Sequence, residues 1–358
     1  MTATSSPDRR SPSDIRTAKA ENGSLRDRDL AAKLGLSEAQ LLAVETGLGV
    51  TRIDAHPDRL IPALAGLGTV MALTRNDSCV IEKDGVYENY HSGEHAAMVL
   101  TEEIDLRLFP NHWVTAMAVE RETETGVRRS IQVFDAAGEA VHKVHLREAS
   151  NHAHWDTLVK ALATGDLSQM LEVQPAKAPE PALEVPERAD QLRAEWAEMT
   201  DTHQFLKLTR KLKMNRLGAY RVAGAPHARL LSPSCVTPML EKVRDAGTEI
   251  MVFVGNAGCI EIHGGPIHTL KEMGPWQNVL DPGFNLHLRQ DHIAEVWAVD
   301  KPTRRGPAIS VEAFDDRGAL IFQIFGRRTE AHDHRPEWNG IVADLPEAPV
   351  AATQGETV

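Results

Sequence analysis

An internal duplication constrains this chain more than any other feature of its sequence. When the sequence is shifted by 180 residues, residues 76–147 align with residues 256–327 without a gap, and 17 of the 72 positions are identical. The identical pairs include Asn76/Asn256, Cys79/Cys259, Leu106/Leu286, His112/His292, Phe134/Phe314 and Arg147/Arg327. A gap-free register over this length indicates two copies of one fold joined in tandem.

A proline-rich segment separates the two copies. Four prolines lie between positions 175 and 186, where they prevent a continuous helix and favour a semi-rigid linker. The expected segments are a disordered tail at 1–14, a first repeat at 15–173, a linker at 174–188, a second repeat at 189–345 and a disordered tail at 346–358. Each repeat is expected to fold alone, because each has its own helices and strands.

Each copy begins with helical patterns and continues with strands. Residues 25–47 have helical apolar spacing, and Gly35 and Ser37 predict a turn between two short helices. Residues 128–148 have the pattern of a β-hairpin, which residues 307–328 repeat. Because strands that are neighbours in sequence usually pair, the sheets are expected to be antiparallel. The predicted fold class is α+β, a tandem duplication in which each half is a large antiparallel β-sheet with packed helices.

Charge and composition exclude several classes of partner. The chain has 39 Lys and Arg against 51 Asp and Glu, a net charge of −12, which disfavours binding to nucleic acid or to an anionic membrane. Residues 37–47 resemble the second helix of a helix-turn-helix but contain no Arg or Lys to contact DNA. No apolar stretch is long enough to span a membrane, and the first residues lack the apolar core of a secretory signal. We therefore expect no nucleic-acid partner and no membrane embedding.

The cysteines and histidines give no standard metal motif. Cys79, Cys235 and Cys259 are too few for a disulfide framework and too far apart for a CxxC motif, which favours a reduced, cytoplasmic protein. Among the sixteen histidines, His91 and His95 are four residues apart, and His152/His154 and His332/His334 are His-x-His pairs near the ends of the two copies. None has HExxH or zinc-finger spacing, so loop or surface histidines are the favoured interpretation.

His203 follows the linker in a region that is predicted to be helical, with a restart near Thr200. Leu192, Trp196, Met199, His203 and Leu206 follow one another at spacings of 4, 3, 4 and 3, which places an imidazole on an apolar stripe. A core or capping histidine is the favoured interpretation of this spacing. The alternative is an axial ligand to a flat apolar cofactor such as haem.

The duplication also singles out Arg107, which aligns with His287 of the second copy. In a strand, Leu106 and Leu108 point to one face and Arg107 to the other. Arg107 then faces either solvent or a cleft between the two halves, near an anionic or iron-bound group.

The sequence as a whole resembles the bacterial haemin-degrading factor family, cytoplasmic haem-trafficking proteins of the HmuS, HemS, ChuS and PhuS type. The resemblance covers residues 14–345. The matching segments include DLAAKLGLSEAQLLA, NDSCVIEKDGVYE, EEIDLRLFPNHW, MTDTHQFLKLTRKLKMNRLGAYRVAG, VGNAGCIEIHGGPIHTLKEMGPWQNVLDPGFNLHLR and FDDRGALIFQIFGRR.

The resemblance implies a haem site in the cleft between the halves. It makes His203, in the family's DTH motif, the axial ligand of the iron. It places Arg107 on the opposite side of the porphyrin, where it would act as the catalytic residue of a degrading enzyme. Gln323, Arg327 and Arg328 match the family's propionate contacts more loosely.

The expected function is that of a cytoplasmic haem-binding protein of bacterial haem uptake, which carries haem from an inner-membrane importer to iron release. The alternative is an enzyme that opens the porphyrin oxidatively, and a further partner would be a separate haem oxygenase. A regulatory or interaction module that binds no haem is the hypothesis outside the resemblance. The sequence motifs do not separate the carrier from the enzyme.

Overall fold

The computed structural model describes residues 10–349, which contain ten α-helices and eighteen β-strands. The helices are α1 (Pro12–Glu21), α2 (Asp27–Leu34), α3 (Glu38–Ala43), α4 (Pro57–Leu64), α5 (Trp155–Leu162), α6 (Ala189–Ala197), α7 (Gln204–Lys211), α8 (Arg216–Ala223), α9 (Val236–Ala246) and α10 (Arg335–Ala343). The strands of the first repeat are β1 (Val50–Ile53), β2 (Val70–Arg75), β3 (Cys79–Gly85), β4 (Tyr90–His91), β5 (Ala97–Leu100), β6 (Asp105–Leu108), β7 (Thr115–Thr123), β8 (Gly126–Phe134) and β9 (Ala140–Leu146). The strands of the second repeat are β10 (Ala228–Leu231), β11 (Ile250–Gly255), β12 (Cys259–Gly265), β13 (Leu270–Met273), β14 (Trp276–Asp281), β15 (Phe284–Arg289), β16 (Glu295–Lys301), β17 (Ala308–Phe314) and β18 (Leu320–Gly326).

The chain divides into two units that interleave the sequence repeats. Of the described residues, the first unit contains 10–75, 83–177 and 256–260, and the second contains 76–82, 178–255 and 261–349. Each unit therefore includes a short segment of the other repeat, and the main division falls after Lys177.

The first unit contains five antiparallel strands in the order β1-β7-β8-β9-β2 and a separate meander of β6, β5 and β4. Apolar residues of α4 and α5, such as Ile61 and Trp155, pack with Val70, Ile131 and Val144 of the strands in one core. The helices cover the sheet because alternate strand residues are apolar and lose water on packing.

The second unit repeats this arrangement, with strand order β10-β16-β17-β18-β11 and a meander of β13, β14 and β15. On one face of the five strands, α9 and α10 pack over Val311 and Ile324. On the other face, α6, α7 and α8 pack over Trp297, Val299 and Phe314. The predicted fold class is confirmed: two similar α+β halves, each with antiparallel strands and packed helices.

The paired short helices predicted near the first repeat's start are also confirmed. Gly35 caps the C-terminal end of α2 with φ +67°, a left-handed conformation that glycine adopts without strain. The Ser37 hydroxyl accepts a hydrogen bond from the Gln40 backbone N–H at the start of α3, and the Gln40 side-chain oxygen accepts one from the Ser37 backbone N–H.

Asn76 and Asn256, identical in the alignment, hold equivalent turns. The Oδ1 of Asn76 accepts hydrogen bonds from the backbone N–H groups of Ser78 and Cys79, and the Oδ1 of Asn256 does the same for Gly258 and Cys259. A buried cysteine follows each turn. Cys79 packs in the core of the second unit, and Cys259 packs in the core of the first. The duplication thus conserves the turns through which the two repeats contribute to both units.

The ends of the described chain are more ordered than expected. Helix α1 begins at Pro12, inside the predicted tail, because the Ser11 side chain caps it. At the other end, Pro346 accepts a hydrogen bond from Ser232 and Ala348 donates one to Leu230. The remaining tail predictions, at 1–9 and 350–358, lie outside the described residues.

Candidate functional site

His203 ends the turn that separates α6 from α7. Its side chain is 93% exposed. The Asp201 carboxylate accepts a hydrogen bond from the His203 backbone N–H at 2.8 Å and lies 2.6 Å from Nδ1 of the ring. The Gln204 side chain accepts from the Thr200 and Asp201 N–H groups, and Thr200 in turn accepts from Arg304. These hydrogen bonds fix the conformation of the turn, and the imidazole of His203 faces solvent.

Asp201 also sets the chemistry of the ring. The hydrogen bonds from the backbone and ring of His203 hold the pKa of the Asp201 carboxyl below its ordinary value, so it is ionised at neutral pH. A carboxylate beside Nδ1 favours the tautomer that carries its hydrogen there, which leaves the Nε2 lone pair free to bind a metal.

The predicted apolar stripe through His203 is wrong. Leu192, Trp196 and Met199 are buried as expected, but the helix stops at Ala197 and restarts only at Gln204. Because Thr200, Asp201 and Thr202 favour turn and capping hydrogen bonds, they interrupt the 3.6-residue period. The break turns His203 out of the stripe into solvent.

Phe205, two residues after His203, anchors this turn to the unit. It is 1% exposed and packs against Trp196 and Tyr220 at ring-centroid distances of 4.6 and 5.5 Å. The Lys301 ammonium lies 5.1 Å and the Arg216 guanidinium carbon 6.0 Å from its ring centre. Aromatic and cation–π contacts of Phe205 thus hold the start of α7 against the rest of the second unit.

A buried carboxylate, Glu312, organises those two cations. It lies 2.7 Å from Lys301 Nζ and 3.0 Å from Arg216 Nη1, and it accepts hydrogen bonds from Tyr220 and Ser310. Burial alone would raise the pKa of Glu312, but the charges of Lys301 and Arg216 lower it to about 2. The carboxylate of Glu312 therefore stays ionised and fixes the positions of Lys301 and Arg216 against Phe205 at the start of α7.

The sheet face that carries Glu312 continues beyond the helices. Glu312 is the direct antiparallel partner of Gln323, and Gln323 is the partner of Phe253. Directly opposed residues share a face, as do alternate residues of one strand, so Phe325 lies there too. Gln323, Phe253 and Phe325 are half-buried, and the two rings are 5.5 Å apart. We call this the open face.

The corresponding face of the first unit is closed. There the repeat equivalent of Gln323 is Lys143, which forms an ion pair with Glu38 of α3. Arg75 also contacts Glu38, at 2.8 Å, and Glu38 is 4% exposed. Sequence reasoning named Gln323 but missed Phe253 and Phe325. In β11 and β18, Phe253 and Phe325 alternate with buried residues, and this period-2 pattern could have placed both rings on the other face of the sheet.

Arg327 and Arg328 follow β18 at the edge of the second unit. Arg327 Nη1 donates to Glu249 at 2.9 Å. Arg328 is exposed and lies 4.0 Å from Asp333. The structure therefore brings Gln323, Arg327 and Arg328 onto one strand and its extension, within the unit that also carries His203.

Arg107 lies in the first unit, on β6. As predicted, Leu106 and Leu108 are buried while Arg107 points to the opposite face, where 32% of its side chain is exposed. Its guanidinium forms an ion pair with Asp105. The repeat equivalent, His287, contacts Asn278 Oδ1 at 2.7 Å through Nδ1.

A groove of about 710 Å³ lies elsewhere, along α1 and β7 of the first unit. Several of its charges form ion pairs: Lys19 lies 2.6 Å from Glu45, and Arg121 lies 2.6 Å from Asp27. A surface lined by these charged pairs does not suit a flat apolar ligand. Among residues 10–349, every helix is too short or too polar to span a bilayer.

The chain is similar to known proteins over nearly its whole length. The hemin transport protein HemS of Yersinia enterocolitica is 38% identical over 337 residues, which cover 94% of this chain and 97% of that protein. The structure of holo-PhuS, described as a heme-binding protein from Pseudomonas aeruginosa, superposes with a TM-score of 0.90 at 41% identity and covers 95% and 100% of the two chains. ChuS, described as an E. coli heme oxygenase, gives 0.83 at 32% identity and covers 93% and 99%.

The family model described as the haemin-degrading HemS.ChuX domain matches this chain twice, at residues 35–162 and 213–345. The two matches fall one in each sequence repeat. The chain therefore belongs to the haemin-degrading HemS/ChuX family.

Proposed function

We propose that this chain binds haem on the open face of the second unit, with Nε2 of His203 as the axial ligand, and carries it in bacterial haem uptake. One observation supports this above others. The exposed imidazole of His203, held by Asp201, lies in the turn between α6 and α7, and these helices pack on the same side of the sheet as Phe253 and Phe325. An imidazole on the same side of a sheet as apolar aromatic rings fits the environment that a porphyrin requires.

The polar residues around this face fit the rest of the ligand. Haem carries two propionates at one edge, which cationic and amide side chains bind by charge and hydrogen bonding. We propose Gln323, Arg327 and Arg328 for this role. The exposed guanidinium of Arg328 and the half-buried amide of Gln323 support the assignment.

We infer that transport is the primary activity, and oxidative degradation is the alternative. Relatives carry both descriptions, hemin transport protein and heme oxygenase. Bound haem would itself supply the redox chemistry of degradation. In that case Arg107 is the catalytic residue proposed from the family resemblance, because its permanent charge and several N–H donors suit stabilisation of negative charge.

We further propose that the protein acts in the cytoplasm and receives haem from an inner-membrane importer. A separate haem oxygenase is the proposed acceptor if the chain is a carrier. The descriptions of the Yersinia relatives as transport proteins support a place in such a transfer.

Substitution of the axial ligand tests the site. His203→Ala should shift the Soret and visible bands of the haem complex and speed haem loss, because iron is left to weaker ligands. His287→Ala is the control, since His287 also belongs to the second unit but lies on β15, with 30% of its side chain exposed. Unchanged spectra in His203→Ala, or a larger change in His287→Ala, would assign the ligand elsewhere.

A second experiment separates carrier from enzyme. The haem complex is formed without oxygen and then given oxygen and a reductant, with catalase present. For a carrier, the Soret band should persist, and Arg107→Ala should change haem affinity by no more than about tenfold. For an enzyme, the band should decay to a defined tetrapyrrole, and Arg107→Ala should slow that decay by about 10²–10³.

A further inference from the structure

The turn between β18 and α10, together with the first turn of α10, brings two histidines and a glutamate close to one another. The rings of His332 and His334 are 4.2 Å apart, centre to centre, and His332 Nε2 lies 3.4 Å from Glu337 Oε1. One ligand atom from each of the three residues lies within 4.8 Å of the others. The site described above uses none of these side chains.

Backbone contacts fix the turn that presents this cluster. Thr329 and His332 exchange hydrogen bonds through the Thr329 hydroxyl and both backbones. The His334 N–H donates to Arg327 at 2.9 Å. Glu337 follows in the first turn of α10. The three side chains therefore start from fixed positions and need only side-chain rotation to converge.

The surrounding charges leave the cluster suited to a cation. Arg335 lies 2.6 Å from Asp333 and Arg327 lies 2.9 Å from Glu249, so these neighbouring guanidinium groups face other carboxylates. Glu249 is also 3.8 Å from His334 Nε2.

We propose that His332, His334 and Glu337 form a binding site for a divalent transition metal of the Zn²⁺ and Fe²⁺ class. Two imidazoles and one carboxylate are a donor set for these ions, whereas Ca²⁺ and Mg²⁺ prefer oxygen ligands alone. Ligands at about 2.1 Å in a tetrahedral site lie about 3.4 Å from one another, as His332 and Glu337 already do. Water completes the coordination. A bound ion would tie α10 to the turn that follows β18.

The first repeat supplies an internal control. The 180-residue shift places His152 and His154 on His332 and His334, but it places Thr157 on Glu337. In addition, His152 Nε2 already contacts the Arg147 carbonyl oxygen at 2.9 Å. The first copy thus has the histidine pair without the carboxylate.

Titration of the metal-free, haem-free full chain with Co²⁺ tests the proposal. Visible absorption reports the coordination of Co²⁺, and calorimetry with Zn²⁺ gives affinity and stoichiometry. We expect one site per chain whose affinity falls at least about tenfold in Glu337→Gln and which is lost in the double variant His332→Ala/His334→Ala. The variants His152→Ala/His154→Ala and His203→Ala should keep it.

Folding and haem binding are checked in each variant. Zn²⁺ should raise the Tm of the wild-type chain but not that of Glu337→Gln, and Glu337→Gln should keep the haem spectrum of the wild type. Unchanged Co²⁺ absorption and Zn²⁺ affinity in the His332/His334 double variant would overturn the proposal. Loss of the site in the His152/His154 variant instead would also overturn it. Neither result bears on the haem proposal, whose ligand is varied separately.

Discussion

At the scale of single residues, two histidines show how the immediate partners of a ring decide its role. His203 lies beside one carboxylate and faces solvent, so its outer nitrogen is available to a ligand. His142 is buried between the hydroxyls of Thr74 and Tyr87, and its ring stacks against Trp113. The first ring suits binding, whereas the second is part of a core.

Asp201 is a positioning residue for the proposed ligand. Asp201→Asn should keep the turn but remove the negative charge beside Nδ1, which makes His203 a weaker donor to iron. Haem dissociation is expected to become about 10- to 100-fold faster, with a shifted Soret band. Stopped-flow transfer of haem to apomyoglobin measures the rate. Glu198→Gln, also exposed and in the same segment, should leave it unchanged; a wild-type rate in Asp201→Asn contradicts the assignment.

Because His142 is buried in the first unit, we expect the stability of that unit to fall at acidic pH. Burial lowers the pKa of His142 from 6.5 to about 3. Between these values the unfolded chain binds a proton that the folded chain does not, so the free energy of unfolding falls as the pH is lowered from 6.5 towards 3. The contribution is at most about 1.4 kcal/mol per pH unit. Burial also lowers the pKa of His145, to about 4, and adds to the same trend.

Urea unfolding of His142→Phe at pH 7.5 and pH 5 tests this, since phenylalanine occupies the equivalent position, 322, in the second repeat. At pH 7.5 the variant should be destabilised by about 1–3 kcal/mol for each hydroxyl that loses its partner. On going to pH 5 it should lose less stability than the wild type. An equal or larger loss in the variant would show that His142 does not contribute.

At the scale of elements, α7 depends on the ionic group beneath it. Glu312→Gln would leave Lys301 and Arg216 buried without their counter-charge, which should lower the free energy of unfolding by about 3–5 kcal/mol. The packing of these two residues against Phe205 should weaken as a result. Haem binding should weaken as well, because His203 begins this helix. Chemical denaturation and haem titration measure the two effects.

The control for that variant is Glu120→Gln. It removes an ion pair with Arg129 in which Glu120 is 41% exposed, and such pairs contribute about 0–1 kcal/mol. If Glu312→Gln costs no more than Glu120→Gln, the buried group does not hold α7.

At the scale of the whole molecule, the interleaved units change the expectation that each repeat folds alone. The fragment 178–358 lacks residues 76–82, which belong to the second unit and bury Cys79 and Ile81 in its core. Loss of such buried residues costs about 2–5 kcal/mol each. The fragment should therefore unfold at lower denaturant concentration than the full chain and bind haem weakly.

Mixing fragments 1–177 and 178–358 is the complementary measurement. The mixture should recover cooperative unfolding and haem binding, since it restores the exchanged segments. If fragment 178–358 by itself matches the full chain in stability and haem affinity, residues 76–82 are dispensable and the repeats are independent.

The sequence alone determined the duplication, the fold class, the helix pair with its Gly35 and Ser37 signals, and the alternation that turns Arg107 away from Leu106 and Leu108. These features follow from local propensity and periodicity, which are written in neighbouring residues. Tertiary structure decided the rest. It broke the predicted stripe at His203, because the turn's side chains satisfied the backbone better than a continuing helix. It left the second unit's sheet face open while Lys143 and Glu38 closed the first. It also exchanged the segments that carry Cys79 and Cys259, because long-range strand pairing and burial are not encoded in the local pattern.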